Sequence, residues 1–311
     1  MLVSQSVSRK RVVVVGSEGR LGHLLLKSLA NHHDVIGLNR KHLNLADPKS
    51  IQSALAELRY DFLIIAGALT GVDYCETNET EAFLINAEGP RLIAELSKAK
   101  CAHVTYISTD MVFNGNKDSP YTEEDIPDPI SVYGASKLKG EEEVLGTNQA
   151  NLVVRVSWLY GPGKAAFPEW IIGEASRKTD VTLPGNKICC PTYTVDLIES
   201  LSALLFSPHK GASAGMFHYC NSHPCNWRDW GQFCLETAKN FEIPLRVDQI
   251  APINLSTVGA FIAKRPLNSA MATQKITEET GIEPRHWKLA LHEYLIGSNL
   301  FAGHMGVKIT T

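Results

Sequence analysis

The stretch VVVVGSEGRLG at residues 12–22 constrains the fold more than any other feature, because four valines run straight into Gly16, Gly19 and Gly22 and an amphipathic segment follows at once. A strand that is apolar on both faces has to be covered on both, which points to a parallel sheet, and parallel strands are joined by crossover connections that are usually helices. Glycines at such a junction let the backbone turn sharply and leave its N–H groups bare beside a helix N-terminus. That is where the pyrophosphate of a dinucleotide can sit, so Gly16, Glu18, Gly19, Arg20, Leu21 and Gly22 are candidate cofactor-binding residues. Three spaced glycines alone would serve any tight turn; their place inside a first βαβ unit favours the ligand.

The remainder of the first half repeats the pattern. Val12–Val15, Asp34–Leu38, Phe62–Ala66 and His103–Ser108 read as parallel strands, with Leu152–Val156 as a fifth. The spacing predicts helices over Arg20–Ala30, from Asp47-Pro48 to about Arg59, over Glu79–Lys98 and over Val195–Phe206, with Asp47 as N-cap and Pro48 as a pre-set first turn. Beyond Phe217 the periodicity loosens around Trp227 and Trp230, with helical stretches at Trp230–Phe241 and His286–Leu295. The expected architecture is α/β: a Rossmann-like doubly wound parallel sheet (1–160 plus about 192–217) carrying a smaller C-terminal substrate-binding lobe (about 161–191 plus 218–311). Glu141-Glu142-Glu143 reads as a solvated helix face.

Composition narrows function by exclusion. With 311 residues, 44% of them hydrophobic and 20% charged, the chain can bury a substantial core. A formal net charge of −3 supplies no general attraction to nucleic acid or anionic membrane, so neither is expected as a partner. No apolar run approaches the ~20 residues needed to cross a bilayer, and the valines after Arg9, Lys10 and Arg11 are too few for the core of a signal peptide. Seven cysteines without a CxxC pair read as reduced thiols, and Cys220 and Cys225 beside His218 and His223 lack zinc-site spacing. The expectation is a cytoplasmic protein with small-molecule partners and no metal.

Two further groups carry chemistry. At the end of the second strand the chain reads Gly37-Leu38-Asn39-Arg40, where a carboxylate would bind a ribose 2′-hydroxyl and repel a 2′-phosphate. Asn39 adds no negative charge, and Arg40, backed by Lys41, can pair with phosphate, so NADPH is expected over NADH, which stays open. Tyr133 and Lys137 lie one helical turn apart in SVYGASKLKGE, with Ser131 as a cap. An ammonium beside a phenol lowers its pKa from about 10 toward the working pH and makes it a proton donor to a carbonyl oxygen that receives hydride. Ser108-Thr109-Asp110, at the carboxyl edge of the fourth strand, brings hydroxyls to the same region.

In this order the motifs resemble the dTDP-4-dehydrorhamnose reductase family of the extended short-chain dehydrogenases, whose GxxGxxG spacing they match. The resemblance runs nearly end to end: AGALTGVDYCE at 66–76, INAEGP at 85–90, YISTDMVFNG at 106–115, EEDIPDPISVYGASKLKGE, RVSWLYGPG at 155–163, PTYTVDL at 191–197 and KRPLNSAMATQK at 264–275. It implies Thr109 as the hydroxyl polarising the substrate carbonyl, Tyr133 as acid, and Lys137 as its electrostatic partner and holder of the nicotinamide ribose. Ala66, Gly67, Ala68 and Asn86 would line the cofactor cleft. Val72, Met111 and Trp158 would meet the sugar, and Arg265 the nucleotide diphosphate or a structural ion pair. Met111, where the family commonly has Tyr, and Lys164-Ala165-Ala166 depart from the pattern on the substrate side.

The implied reaction is NADPH-dependent reduction of a nucleotide-linked 4-keto-6-deoxysugar, dTDP-4-dehydro-L-rhamnose to dTDP-L-rhamnose. Two alternatives stay open. One is a non-catalytic NADP-binding regulatory subunit similar to the methionine adenosyltransferase β subunit; the other is a different nucleotide-sugar-modifying short-chain dehydrogenase, such as an epimerase or dehydratase. The intact Thr109, Tyr133 and Lys137 favour the reductase. The nucleotide base, the sugar and the oligomeric state, a homodimer included, are left open.

Overall fold

The hydrophobic runs of the first half become adjacent parallel strands in the computed structural model, which describes residues 9–298. In chain order they are β1 (Arg11–Val15), β2 (Asp34–Leu38), β3 (Phe62–Ile65), β4 (His103–Thr109) and β5 (Leu152–Val156). They lie in the order β2-β1-β3-β4-β5, and Gly215–Tyr219 adds a sixth parallel strand beside β5. The order reverses direction between β1 and β3, so the carboxyl ends of these strands frame a crevice.

Period-two alternation sends the valines of β1 to opposite faces. Val12 and Val14 pack with Leu21, Leu25 and Leu29 of α1 (Arg20–Leu29), whereas Val13 and Val15 join Ile51 and Leu55 of α2 (Pro48–Leu55). The chain then forms α3 (Val72–Thr77), α4 (Glu79–Phe83), α5 (Gly89–Ala99) and α6 (Val132–Thr147). It continues through α7 (Phe167–Arg177), α8 (Thr194–Phe206) and α9 (Trp227–Asn240). Leu197, Leu201 and Leu204 of α8 complete the α1 face. A separate core gathers Ile171, Leu183, Trp230, Leu235, Trp287 and Leu291 outside the sheet. Among the described residues no helix is long and apolar enough to cross a membrane. Positions 1–8 and 299–311 of the expected domain ranges lie outside the described residues.

Three expectations are corrected. The helix foreseen over Glu79–Lys98 is α4, a wide π turn at Leu84–Glu88, and α5. Pro90 has no N–H to donate to the Asn86 carbonyl four residues back, and the buried Tyr106 hydroxyl takes that carbonyl instead, at 2.6 Å. The helix foreseen to about Arg59 stops at Leu55, and the Ala56 carbonyl just beyond accepts Lys100 Nζ at 2.9 Å. Glu141 is not solvated: it is 2% exposed and takes Arg155 in two hydrogen bonds, Nε at 2.9 Å and Nη2 at 2.7 Å, and the Ser108 hydroxyl at 2.5 Å. Only Glu142 and Glu143 face outward, pairing with Lys139.

That buried pair gives a stability test. Glu141→Ala strands the Arg155 guanidinium in an interior where it is 3% exposed, so the unfolding free energy should fall by about 3–5 kcal/mol. Urea unfolding measures it; a loss under about 1 kcal/mol would mean that the pair behaves like a surface one.

Candidate active site

The carboxyl ends of β3, β4 and β5 open into a cavity of about 830 Å³, the size of a small-molecule site. Beside its wall at Ala66 and Ala68 lies a stretch of closely packed glycine backbone. Gly16 sits at φ +83°, and a Cβ there would meet Gly67 Cα at 2.5 Å. A Cβ on Gly22 would run into the Gly16 carbonyl, and Gly19 N donates to that carbonyl at 2.9 Å. The β1 turn and the 66–67 backbone after β3 thus touch directly, and no side chain caps the N-terminus of α1. This leaves bare N–H groups in a cradle that a side chain would fill, a fit for a dinucleotide pyrophosphate.

Around the cradle, Ala66, Ala68 and Arg20 line the cavity. Arg20 is also tied to the second lobe through the carbonyls of Lys164 and Ala165, and Leu21 is buried in the sheet core. Asn39 Nδ2 donates to Glu18 Oε1 at 2.7 Å, while Arg40 is exposed at the strand edge. Asn86 works from behind. Its amide exchanges hydrogen bonds with the Leu69 backbone at 2.9 and 3.0 Å, fixing the loop that carries Ala66, Gly67 and Ala68.

Helix α6 delivers the phenol and the ammonium. Ser131 caps it by accepting the Gly134 N–H at 3.2 Å, and Gly134 lets it seat against the Met111 carbonyl, which a Cβ would strike. Tyr133 and Lys137 both line the cavity with Thr109 and Met111. Lys137 Nζ donates to the Ile107 carbonyl at 2.7 Å and stands 3.8 Å from the centre of the Tyr106 ring. Burial pulls this ammonium down to about 7, and the Glu141 carboxylate pulls it part of the way back. The expected lowering of the Tyr133 pKa by Lys137 is corrected: burial drives the phenol well above its usual value, a Thr109 hydrogen bond opposes this, and Asp110 and Cys75 add to the rise.

The far wall is aromatic. Trp158 has φ +47°, a strained conformation for a residue with a side chain. Its indole meets Trp227, Trp230 and Phe167 edge-on at centroid distances of 4.8, 5.7 and 6.0 Å. Val72 and Trp158 line the cavity. Phe167, Trp170, Lys187, Trp227 and Phe261 also line it and were not singled out for the site; they come from segments with no motif, and only folding gathers them. Arg265 borders the cavity, but its guanidinium is engaged by Asp73 in two hydrogen bonds of 3.0 and 2.6 Å and lies 3.7 Å from the Phe261 ring centre. This ion pair holds the Asp73 carboxyl at about 2.

The family described as RmlD substrate binding domain matches residues 10–299 of the chain. Spore coat polysaccharide biosynthesis protein SpsK of Bacillus subtilis is 35% identical over 286 residues, covering 92% of this chain and 96% of that protein. The dTDP-4-dehydrorhamnose reductase of Streptomyces griseus is 33% identical over 290 residues, covering 92% and 93%. Among solved structures, the dTDP-4-dehydrorhamnose reductase of Bacillus anthracis in complex with NADP superposes with a TM-score of 0.86 at 28% identity, over 93% of this chain and 100% of that one.

The desolvated ammonium predicts a pH signature. Lys137 titrates at about 7 when folded and near 10.4 when unfolded, so between these values the unfolded chain binds more protons and stability rises with pH. Lys137→Met removes that slope. The stability advantage of the variant should shrink by about 1.4 kcal/mol per pH unit across the window in urea unfolding at a series of pH values. A constant difference would show that the ammonium is not desolvated.

Proposed function

The chain belongs to the RmlD substrate binding domain family, and on that premise we propose that it reduces a nucleotide-linked 4-keto-6-deoxysugar, with dTDP-4-dehydro-L-rhamnose to dTDP-L-rhamnose as the leading conversion. It is an NADPH-dependent oxidoreductase. The observation that carries the substrate reading is the convergence of Thr109, Tyr133 and Lys137 on one cavity that has an aromatic wall, with the glycine cradle lying behind its Ala66 edge.

Bound NADPH supplies the hydride. Gly16, Gly19 and Gly22, with Ala66 and Ala68, would hold its pyrophosphate and ribose against bare backbone, and Lys137, which donates to the Ile107 carbonyl, would hold the nicotinamide ribose. Tyr133 stays a protonated phenol across neutral pH because burial opposes its ionisation, and it gives that proton to the alkoxide oxygen forming at sugar C4. The oxygen that receives hydride gains basicity as its charge develops, so a phenol that keeps its proton at neutral pH remains available as the acid. Lys137, one turn along α6, then opposes the negative charge left on the phenolate oxygen.

Trp158, with Val72 and Met111, offers an apolar face to the pyranose ring from the sheet side, and the lobe at about 161–191 plus 218–311 supplies the facing wall through Phe167, Lys187 and Trp227. Arg20, which lines the cavity, would meet diphosphate charge, while the Arg265 guanidinium stays committed to Asp73. The relatives named for sugar reduction support the ketosugar class. That the three reactive groups share one cavity favours a catalyst over a regulatory subunit. We place this chemistry in the cytoplasm.

The test is NADPH oxidation followed by absorbance against a panel of nucleotide 4-ketosugars. Tyr133→Phe should lower kcat by about 10³-fold with NADPH affinity changed less than about twofold; equal turnover by the variant rules Tyr133 out as the acid. Trp158→Ala should raise KM by about tenfold with a smaller change in kcat, and an unaltered KM would remove Trp158 from the sugar site.

A further inference from the structure

The segment between Leu255 and Pro266 borders the cavity, and little holds it there except at its ends. Leu255 is buried in the core outside the sheet, and its N–H donates to Asn186 Oδ1 at 2.8 Å. Pro266 is buried against Gly115, where a Cβ would come within 2.6 Å of the proline ring. Between these anchors Ala263 is the only buried residue among those described. Gly259 has open space around it, and Ile262 is 66% exposed. Val258, Phe261 and Arg265 nevertheless line the cavity, together with Thr70 and Val72 just before and at the start of α3.

One carboxylate ties this segment to the rest of the molecule. Asp73, next to Val72 on α3, accepts three donors on Oδ1: the Ile262 N–H at 2.8 Å, the Ala263 N–H at 2.9 Å and Arg265 Nη1 at 3.0 Å. Its Oδ2 accepts Arg265 Nη2 at 2.6 Å. Among the described residues, every other hydrogen bond made by 256–265 stays within 254–265. Arg265 passes the restraint on to the cavity wall: its guanidinium lies 3.7 Å from the Phe261 ring centre, and that ring meets Trp227 edge-on at 6.1 Å. A segment with few buried contacts and one polar attachment opens at low free-energy cost. A forked guanidinium–carboxylate pair, when made, fixes direction as well as distance.

We infer that 256–265 is a lid over the cavity and that Asp73 is its clasp, a positioning residue that acts through Arg265 and the N–H groups of Ile262 and Ala263. The closed clasp holds Val258 and Phe261 against a bound nucleotide-sugar, and its release admits or frees that ligand. For its substrate the inference rests on the reduction proposed above. Closure of a lid sets how tightly a ligand is held, and opening sets how fast it exchanges. Loss of the clasp therefore acts on KM, and the chemistry at Tyr133 is left in place.

The test uses the full-length chain and trypsin. Lys264 is exposed within the lid, and a protease needs the chain around its target bond released from the structure. In Asp73→Ala, cleavage after Lys264 should be about tenfold faster than in wild type, with thermal unfolding and cleavage elsewhere unchanged. Asp73→Asn, which keeps one acceptor oxygen without the charge, should fall between, and it decides the matter if Asp73→Ala is cleaved faster at every site. Thymidine diphosphate, used with no ketosugar present, should slow the wild-type cleavage. In NADPH oxidation with the ketosugar, KM of Asp73→Ala should rise about tenfold with kcat within about twofold. Unchanged cleavage after Lys264, no slowing by thymidine diphosphate, or an unaltered KM in a variant that is cleaved faster overturns the inference. If no ketosugar is turned over but both cleavage results hold, the substrate reading fails and the lid stands.

Discussion

The site depends on how closely α6 seats against the carboxyl edge of β4. Gly134 allows contact with the Met111 carbonyl, and Gly140 allows contact with the Asn86 carbonyl and with Tyr106 Oη, where a Cβ would stand 2.5 Å from that hydroxyl. The seating puts three residues spaced four apart, Tyr133, Lys137 and Glu141, on the buried face of one helix. Each meets a different part of the strand: Tyr133 meets Thr109, Lys137 the Ile107 carbonyl, and Glu141 the Ser108 hydroxyl. A bulkier residue at either glycine would lift the helix and dissolve all three contacts.

Burying that face has an electrostatic consequence. Desolvation acts on the phenol and the ammonium in opposite directions, pushing both toward their neutral forms. The ionic groups that remain in the interior have partners: Glu141 with Arg155, and Asp110 with a hydroxyl cluster backed by Lys187. In the chain the two systems flank Thr109, one reaching Ser108 and the other centred on Asp110. Thr109, Tyr133 and Lys137 therefore line a cavity bordered by buried polar groups and by an apolar aromatic wall.

The second lobe contributes through packing. The positive φ of Trp158 turns its indole onto Trp227 and Phe167, so a residue just past β5 packs against the core that lies outside the sheet. The Asp73–Arg265 ion pair joins α3, beside Val72, to the C-terminal segment, and the Asp73 carboxylate also receives the N–H groups of Ile262 and Ala263 at 2.8 and 2.9 Å. Both features tie sheet-side segments that border the cavity to later parts of the chain.

The sequence by itself determined the parallel sheet, the glycine turn and the Tyr133–Lys137 pair, because each rests on local chemistry: β-branched runs, φ-permissive residues and helical spacing. It did not reveal the π turn at Leu84–Glu88, since the cause lies partly in Tyr106, distant along the chain, whose hydroxyl takes the carbonyl that Pro90 leaves free. Nor did it tell Glu141 from its two acidic neighbours, because only the position of Arg155 on β5 separates a buried carboxylate from solvated ones. The direction of the Tyr133 shift depended on tertiary structure in the same way: spacing supplies a nearby cation, but the depth of burial sets the sign. What only the folded chain decided, then, were the charges and contacts whose partners lie far apart in sequence, since desolvation and ion pairing depend on distance in space.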